Sequence, residues 1–268
     1  MARKVLALLV CILWMTAAHA AEELHKLSAR AGTSVQALLT YDTARPVALV
    51  AILLPGGLGD YEFQEQSGTV AMKNGARLPN RMRTLLLERA VASLMVDAPS
   101  DRSRIDDGFR SSPEHLADLR AVVALAGTRF PGVPVVVIGH SNGSISAAWF
   151  AAAAQELVKA IVLVAPRLTW HWFSNQHIGQ DGLSRFDWER ITQPMLLVHH
   201  RYDGCLITPY NGSAALANKV KRFHLVTIDP AGPMVLGGCD YTGTHNLVGH
   251  EAAVTEAIVA WARQQTGR

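Results

Sequence analysis

The sequence has little excess charge and no cluster of basic residues. Its 268 residues include 25 lysines and arginines against 22 aspartates and glutamates, spread along the chain, for a formal net charge of +3. Nucleic-acid-binding proteins neutralise phosphates with clustered basic side chains, so we expect no nucleic-acid partner. Hydrophobic residues make up 49% and charged residues 18% of the chain, which excludes a disordered or fibrous protein.

Long apolar runs are also lacking after the N-terminal segment. Arg3 and Lys4 precede an apolar run over residues 5–15, which is too short to span a bilayer as a helix. Residues 18–20 (Ala-His-Ala) then place small side chains before Ala21, as in a secretory cleavage site. We expect a signal peptide over residues 1–20, a mature chain over 21–268, a periplasmic or secreted location and no stable membrane insertion after cleavage. An uncleaved anchor is the alternative.

Cysteine is scarce. Of three cysteines, Cys11 lies in the predicted signal, which leaves Cys205 and Cys239 in the mature chain. Neither has a CxxC or CxxH neighbourhood, so the alternative that both bind a metal has little support, and we expect no metal site. An even number of cysteines in an exported chain favours one disulfide between Cys205 and Cys239.

Internal repeats, charge runs and Ser/Pro-rich linkers are absent from the sequence, which favours a single mature domain. Continuous apolar runs alternate with helical patterns, and this alternation predicts an α/β fold with a mostly parallel sheet. A starting antiparallel pair is predicted over 24–30 and 34–42. The predicted buried strands are 47–54, 90–96, 133–138, 160–164, 195–199 and 223–228. The predicted helices are 81–88, 113–128, 144–156, 187–191, 210–219 and 251–263. Functional sites in such sheets form at the carboxyl ends of the strands.

The third buried strand runs into a G-x-S-x-G pentapeptide, residues 139–143, which a helical pattern follows. This context predicts a tight strand-to-helix turn with Ser141 in a strained conformation. Gly139 and Gly143 remove side chains that would collide with the neighbouring strand and helix. The start of the helix places amide groups and the positive end of its dipole near Ser141. A plain Gly-rich turn is the alternative.

This constellation resembles the α/β-hydrolase superfamily of serine hydrolases over nearly all of the mature chain. Segments 53–57, 96–102, 199–205 and 239–245, together with 139–143, also resemble a group of exported bacterial α/β-hydrolases of unassigned substrate. The resemblance implies an α/β-hydrolase fold with helices on both faces of the sheet and a short cap. It also implies a nucleophile, an acid and a histidine in that chain order, with no cofactor.

In that order the acid should follow the fifth buried strand, which makes Asp203 the candidate, although a surface Asp-Gly turn is the alternative. Residues 245–251 resemble the subgroup's His-x-aromatic-x-Gly-x-Glu pattern, with Leu247 where an aromatic residue is usual. The pattern favours His245 as the catalytic base, and His250 is the alternative. The adjacent His199 and His200 point to opposite faces of a strand and are not expected to share a metal ion.

An oxyanion hole needs two backbone amides. We expect one from Asn142, which follows the nucleophile, and the other from Gly57 or Leu58, after the first buried strand.

Residues 168–190, the predicted cap, are rich in aromatic side chains. Three of these residues, Trp170, Trp172 and Phe173, are candidates for a substrate pocket. The alternative is that the aromatic residues of this segment, with Phe186 and Trp188, only pack onto the sheet.

These residues predict a serine hydrolase that cleaves small-molecule carboxylic esters through an acyl-enzyme, with Ser141, His245 and Asp203 as the triad. Two alternatives stay open. One is a small-amide or peptide hydrolase on the same triad. The other is a catalytically silent binding protein, because fold alone does not establish activity. Four polar residues near the same edge receive no role from the sequence: Asn80, Arg81, Asp101 and Arg102.

Overall fold

A computed structural model describes residues 20–169, 171–173, 178–229, 238–239 and 242–268, and of 171–173 and 178–180 it describes the backbone alone. Within these residues lie the strands β1 (Ala20–Arg30), β2 (Thr33–Asp42), β3 (Leu49–Leu54), β4 (Gln64–Gln66), β5 (Thr69–Ala71), β6 (Val91–Val96), β7 (Val135–His140), β8 (Ala160–Val164), β9 (His171–Phe173), β10 (Ile178–Gln180), β11 (Met195–His200) and β12 (Phe223–Ile228). The helices are α1 (Leu78–Leu87), α2 (Asp107–Arg110), α3 (Pro113–Arg129), α4 (Gly143–Ala153), α5 (Tyr210–Ala215) and α6 (Glu251–Thr266).

Eight strands form one sheet in the order β1-β2-β6-β3-β7-β8-β11-β12. The pairs β1-β2 and β2-β6 are antiparallel, and the other five pairs are parallel. The predicted mostly parallel α/β sheet is confirmed, including the starting antiparallel pair. Strands β3, β7, β8 and β11 lie in the middle, where their uninterrupted apolar runs are buried on both faces.

Helices cover both faces of the sheet. On one face, apolar residues of α3 and α4 pack into a hydrophobic core with one set of strand side chains. On the other face, α1 and α6 pack together against the second set. This arrangement leaves the carboxyl ends of β3, β7 and β11 at one edge, where Ser141 and Asp203 lie. No helix in the described part of the chain combines the length and hydropathy needed to cross a membrane.

Two predicted helices are shorter than their patterns. Residues 187–191 contain only a 3₁₀ turn, Trp188–Arg190, and 210–219 divides into α5 and a 3₁₀ turn, Leu216–Asn218. The first turn of α5 contains Asn211 and Gly212, whose low helix propensity gives a short helix little support. In the predicted cap, 168–190, the described part contains the antiparallel strand pair β9 and β10 besides the 3₁₀ turn.

Candidate active site

A tight turn at the end of β7 presents Ser141. Only Ser141 and Asn142 connect β7 to α4. Ser141 has a φ of 53°, in the left-handed region that non-glycine residues rarely adopt. A conformation of this kind costs about 1–3 kcal/mol and persists only where the surrounding structure enforces it. The structure therefore has the strained turn that the G-x-S-x-G pattern predicts.

Glycines allow three backbone segments to meet around this turn. A Cβ on Gly139 would lie 2.4 Å from the carbonyl oxygen of Gly143, and a Cβ on Gly143 would lie 2.2 Å from that of Leu54. A Cβ on Gly56 would lie 2.7 Å from the Cβ of Ser141. Because real Cβ atoms do not approach so closely, the elbow and the loop after β3 can pack together only with glycine at these positions.

Ser141, His245 and Asp203 form one hydrogen-bonded chain. His245 Nε2 lies 3.0 Å from Ser141 Oγ, and His245 Nδ1 lies 2.9 Å from Asp203 Oδ2. Since a carboxylate only accepts hydrogen bonds, Nδ1 carries the proton, and Nε2 is left to accept the Ser141 hydroxyl proton. All three residues are buried or nearly so. The structure thus brings together the three residues that the sequence singled out.

Asp203 has further partners that the sequence did not indicate. Oδ2 also accepts hydrogen bonds from His199 Nε2 at 2.8 Å and Thr208 Oγ1 at 2.9 Å, and Oδ1 accepts one from the Cys205 amide at 2.8 Å. Burial by itself would raise the pKa of Asp203. The hydrogen bonds from His199 and His245 outweigh it and hold that pKa well below its usual range. Asp203 is therefore an anion at neutral pH.

The other candidate histidines lie elsewhere. His250 is the N-cap of α6, with its ring 5.5 Å from that of His200. His199 contacts Ser213 of α5, with 2.6 Å between Nδ1 and Oγ, so the two adjacent histidines face opposite sides of β11 as expected. Across the described ranges, no group of three or more His, Cys, Asp or Glu side chains converges as metal ligands would.

Two side chains hold the histidine loop, residues 242–250. His140 Nε2 donates to the carbonyl oxygen of His245 at 3.2 Å. Burial, helped by the nearby His245, lowers the pKa of His140 to about 3, so His140 is neutral at neutral pH. Arg81 donates to the carbonyl oxygen of Asn246 and pairs with Glu251 at 2.8 Å. Arg81, which the sequence left without a role, therefore ties α1 to this loop.

The other three polar residues without a role in the sequence hold neighbouring segments together. Asn80 donates to the carbonyl oxygen of Gly75 at 2.8 Å. Asp101 pairs with Arg30 at 3.1 Å, and the Arg102 guanidinium lies 4.0 Å from the centre of the Phe109 ring.

Of the expected oxyanion-hole residues, Asn142 directly follows Ser141, and its Nδ2 lies 3.1 Å from the carbonyl oxygen of Gly57. Asn142 begins the turn into α4, and Gly57 has a φ of 58° in the loop after β3. The amide of Gly59 donates to the carbonyl oxygen of Gly56 at 3.2 Å and closes this loop into a turn. Within the described residues, no acceptor bonds to the amides of Asn142, Gly57 or Leu58.

Cys205 and Cys239 form a disulfide with a sequence separation of 34 residues. Cys205 lies two residues after Asp203, and Cys239 lies six residues before His245. The bond therefore links the acid loop to the segment that leads into the histidine loop.

The predicted aromatic pocket is described only in part. Trp170 lies outside the described residues, and for Trp172 and Phe173 only the backbone is described, in β9. Phe186 and Trp188 are buried with their rings 4.9 Å apart, and Phe186 meets a tryptophan of α4 at 5.4 Å. The side chains of Phe186 and Trp188 both belong to the hydrophobic core on the α4 face of the sheet.

A groove of about 430 Å³ lies between α2, α4 and the end of the cap segment. Its walls include Ile145, Trp149, Phe186 and the acidic residues Asp107 and Asp181. Its lining includes Ile145 and Trp149 of α4 but not Ser141, so the groove lies along the flank of the elbow helix.

Several residues around the site could not be identified from the sequence alone. Thr208 donates to Asp203, and Ser213 lies behind it against His199, and both contacts form only in the folded chain. Arg110 and Arg167 are charged residues that are fully buried, against the usual tendency of charge to stay in water. Of these residues, only His199 could have been suspected from the sequence, because it lies at the end of a buried strand four residues before Asp203.

Comparison with known protein families gives a match over part of the chain. A family model described as serine aminopeptidase, S33, matches residues 106–186, which include Ser141 but neither Asp203 nor His245. No curated protein matches the sequence significantly.

Solved structures match over most of the chain. Est1E from Butyrivibrio proteoclasticus with bound ferulic acid is 21% identical over 91% of this chain and 100% of that chain, with a TM-score of 0.63. A dienelactone hydrolase from Anabaena variabilis is 15% identical over 91% and 97% of the two chains, with a TM-score of 0.60. A cold-adapted esterase from an Arctic intertidal metagenomic library is 14% identical over 88% and 93%, with a TM-score of 0.54. At these identities the likeness shows the α/β-hydrolase fold.

The fold and the site define the class of this protein. An eight-stranded, mostly parallel sheet carries a strained serine elbow with a buried histidine and aspartate in hydrogen-bonding range. With the family match across the elbow, the chain has the α/β-hydrolase fold and the site of a serine hydrolase.

Proposed function

We propose that this protein is an exported esterase that cleaves carboxylic esters of small molecules through an acyl-enzyme on Ser141. The observation that carries the proposal is the chain from Ser141 Oγ through His245 to Asp203, with 3.0 Å and 2.9 Å between its polar atoms. The esterase among the structural neighbours, and the neighbour that binds ferulic acid, a small carboxylic acid, support a small ester as substrate.

The proposed reaction assigns one step to each group. Ser141 Oγ attacks the ester carbonyl carbon while its proton passes to His245 Nε2. The bond to the alcohol oxygen then breaks, and that oxygen takes the proton from His245. His245 then deprotonates a water molecule that attacks the acyl carbon. The bond to Ser141 Oγ breaks, the carboxylic acid leaves, and His245 returns its proton to Ser141 Oγ. Asp203 remains ionised and keeps the His245 Nδ1–H in place.

The amides near Ser141 supply the remaining stabilisation. In the tetrahedral intermediate the carbonyl oxygen becomes an anion, and Asn142 with Gly57 or Leu58 would donate hydrogen bonds to it. Loss of one such donor typically costs about 3–4 kcal/mol of transition-state stabilisation.

Export is part of the proposal. Its support is the signal-like segment over residues 1–20 and the disulfide, since disulfides persist in oxidising compartments. Strand β1 begins at Ala20, so cleavage before Ala21 would remove almost nothing from the described fold. From the sequence we also propose a small cap over 168–190, with Trp170, Trp172 and Phe173 facing the substrate.

Peptide hydrolysis is the second candidate, and the description of the matching family model as serine aminopeptidase favours it. The chemistry would be the same, with an amine in place of the alcohol as leaving group. Two substrates distinguish the candidate functions. An esterase would cleave p-nitrophenyl butyrate, and an aminopeptidase would cleave an aminoacyl p-nitroanilide.

The test is to express the full chain in a bacterium, label cell fractions with a reporter-tagged fluorophosphonate, and map the labelled peptide. We expect a labelled periplasmic or secreted protein that begins at Ala21 and carries the label on Ser141. Ser141→Ala should lose the label. His245→Ala should lower ester turnover at least about a thousandfold, while His250→Ala, the matched control, should retain it.

Well-folded protein that takes no label and cleaves neither substrate would refute the enzyme proposal and favour the binding protein. A label lost only in His250→Ala would refute His245 as the base. Labelled protein that stays in the cytoplasm with residues 1–20 attached would refute export alone.

A further inference from the structure

Two arginines next to the candidate oxyanion loop, residues 56–59, are completely buried. Arg110 and Arg167 have no exposed surface and are the two largest of the fully buried side chains. Taking a guanidinium out of water is costly unless its hydrogen bonds compensate. The acceptors of their hydrogen bonds therefore indicate why these two arginines are buried.

Arg110 donates directly to the oxyanion loop. Its Nη2 lies 3.1 Å from the carbonyl oxygen of Gly57, and its Nη1 lies 3.1 Å from Ser146 Oγ on α4. In the described part of the chain no carboxylate comes within ion-pair distance of Arg110. Burial lowers the pKa of Arg110 to about 9, and the group is still a cation at neutral pH.

Arg167 reaches the same loop through Asn142. Its Nη1 lies 2.9 Å from Asp107 Oδ1 and 3.4 Å from Asn142 Oδ1. Because a guanidinium only donates, this contact identifies the Asn142 oxygen and directs the amide nitrogen the other way. Asn142 Nδ2 then donates to the carbonyl oxygen of Gly57 at 3.1 Å.

Both paths end on one acceptor, the Gly57 carbonyl oxygen. We refer to Arg110 and Asn142, with Arg167 behind Asn142, as the carbonyl clamp. Glycine has the greatest backbone freedom of any residue, so Gly56 and Gly57 do not by themselves hold this loop in one conformation. An oxyanion hole, however, stabilises its anion only when the donors are already in position. Two hydrogen bonds to the Gly57 carbonyl restrict the rotation of that residue and of the peptide that carries the Leu58 amide.

We propose that Arg110 and Arg167 are positioning residues that hold the oxyanion loop ready for the transition state, Arg110 directly and Arg167 through Asn142. The inference rests on the proposed function, because it presumes that Ser141 forms a tetrahedral intermediate. It assigns to two buried cations a role in turnover rather than in folding alone.

The test compares Arg110→Met, Arg110→Lys and Asn142→Ala with wild-type protein. Arg110→Met removes both donors, Arg110→Lys keeps the charge with a single donor group, and Asn142→Ala removes the second path without a core substitution. Arg83→Met is the matched control, because Arg83 is a largely buried arginine that pairs with Glu22 at the far edge of the sheet. Turnover of p-nitrophenyl butyrate is measured per active site titrated with fluorophosphonate. Affinity is measured for a trifluoromethyl ketone, which forms an oxyanion on Ser141.

We expect Arg110→Met and Asn142→Ala to lower kcat per titrated site roughly 10- to 100-fold, with KM nearly unchanged. Affinity for the trifluoromethyl ketone should fall by a similar factor. Arg110→Lys should recover part of the loss, and Arg83→Met should match wild type. Asn142→Ala keeps the proposal testable if Arg110→Met does not fold.

Two results would overturn the inference. If Arg110→Met and Asn142→Ala lower only the melting temperature or the fraction of titratable sites, the clamp serves folding alone. If KM rises and kcat is unchanged, these residues act on substrate binding. Wild-type protein that neither labels nor turns over ester would instead refute the proposed function, and this inference with it.

Discussion

At the scale of single residues, two buried histidines make stability depend on pH. Burial lowers the pKa of His140 and of His115 to about 3. His140 donates to the carbonyl oxygen of His245, and His115 Nε2 lies 2.9 Å from Ser146 Oγ. Both rings stay neutral in the folded protein at pH values where an unfolded chain would protonate them.

We predict that the free energy of unfolding falls as the pH falls below about 6.5, the ordinary pKa of histidine. Between that pH and about 3 the unfolded chain binds protons that the folded chain does not, so acid favours unfolding. Each histidine contributes up to about 1.4 kcal/mol per pH unit.

Urea unfolding of His140→Gln checks the prediction, because glutamine retains an N–H donor without titrating. The loss of stability from about pH 7 to about pH 5 should be smaller in this variant than in wild type by about 2 kcal/mol. His224→Gln, at an exposed position of β12, is the control. An identical pH dependence in wild type and His140→Gln would contradict the assignment.

At the scale of elements, Ser141 is positioned by β7, the elbow and α4, which pack on the end of β3. Its geometry depends on backbone contacts that exclude a Cβ at Gly139 and Gly143. The elbow helix is almost entirely apolar or small, and most of it is buried, so it cannot move away without opening the core.

We predict that Gly139→Ala destabilises the protein by several kcal/mol, since the new Cβ would lie 2.4 Å from the backbone oxygen of Gly143 and 2.8 Å from the Cβ of Ala147. Gly127→Ala is a matched control. Gly127 is exposed in α3, with nothing within 4 Å of an added Cβ, so alanine should stabilise the helix by about 0.5–1 kcal/mol. Chemical unfolding of both variants measures the contrast, and equal effects would show that the elbow tolerates the contact.

At the scale of the whole molecule, the disulfide links two parts of the chain that supply the triad. Cys205 is buried at the start of a loop after β11, and Cys239 is exposed. The closed loop contains β12, the outermost strand of the sheet next to β11. The bond therefore limits how far the acid loop and the edge of the sheet can separate.

We predict that a Cys205→Ser, Cys239→Ser double variant loses about 3–4 kcal/mol of unfolding free energy, from the chain entropy of a loop of about 34 residues. Turnover per titrated site should also fall, because the Asp203 and His245 loops would be less restrained. Urea unfolding and active-site titration measure the two effects. A thiol count is the independent check: two reactive thiols in unfolded, unreduced mature protein would show that the bond is absent.

Much of this molecule follows from local sequence. Alternating apolar runs and helical periods predict the parallel strands, because a strand buried on both faces must be apolar throughout. The elbow follows from the glycines around Ser141, and Asp203 from its place after a buried strand. The structure places His245, not His250, beside Ser141 because α6 begins at Glu251 and takes His250 as its N-cap.

The sequence by itself determined the fold class and the elbow, and it singled out Asp203, two candidate histidines and one candidate cysteine pair. Each of these depends on residue type and on order along the chain. Only the tertiary structure decided that His199 and Thr208 share the Asp203 carboxylate and that Arg81 and His140 hold the histidine loop. It also decided that Arg110 donates to Gly57 and that Arg167 donates to Asn142. The physical reason is that these contacts join residues from separate elements, and their bonding depends on distance and burial in the folded chain.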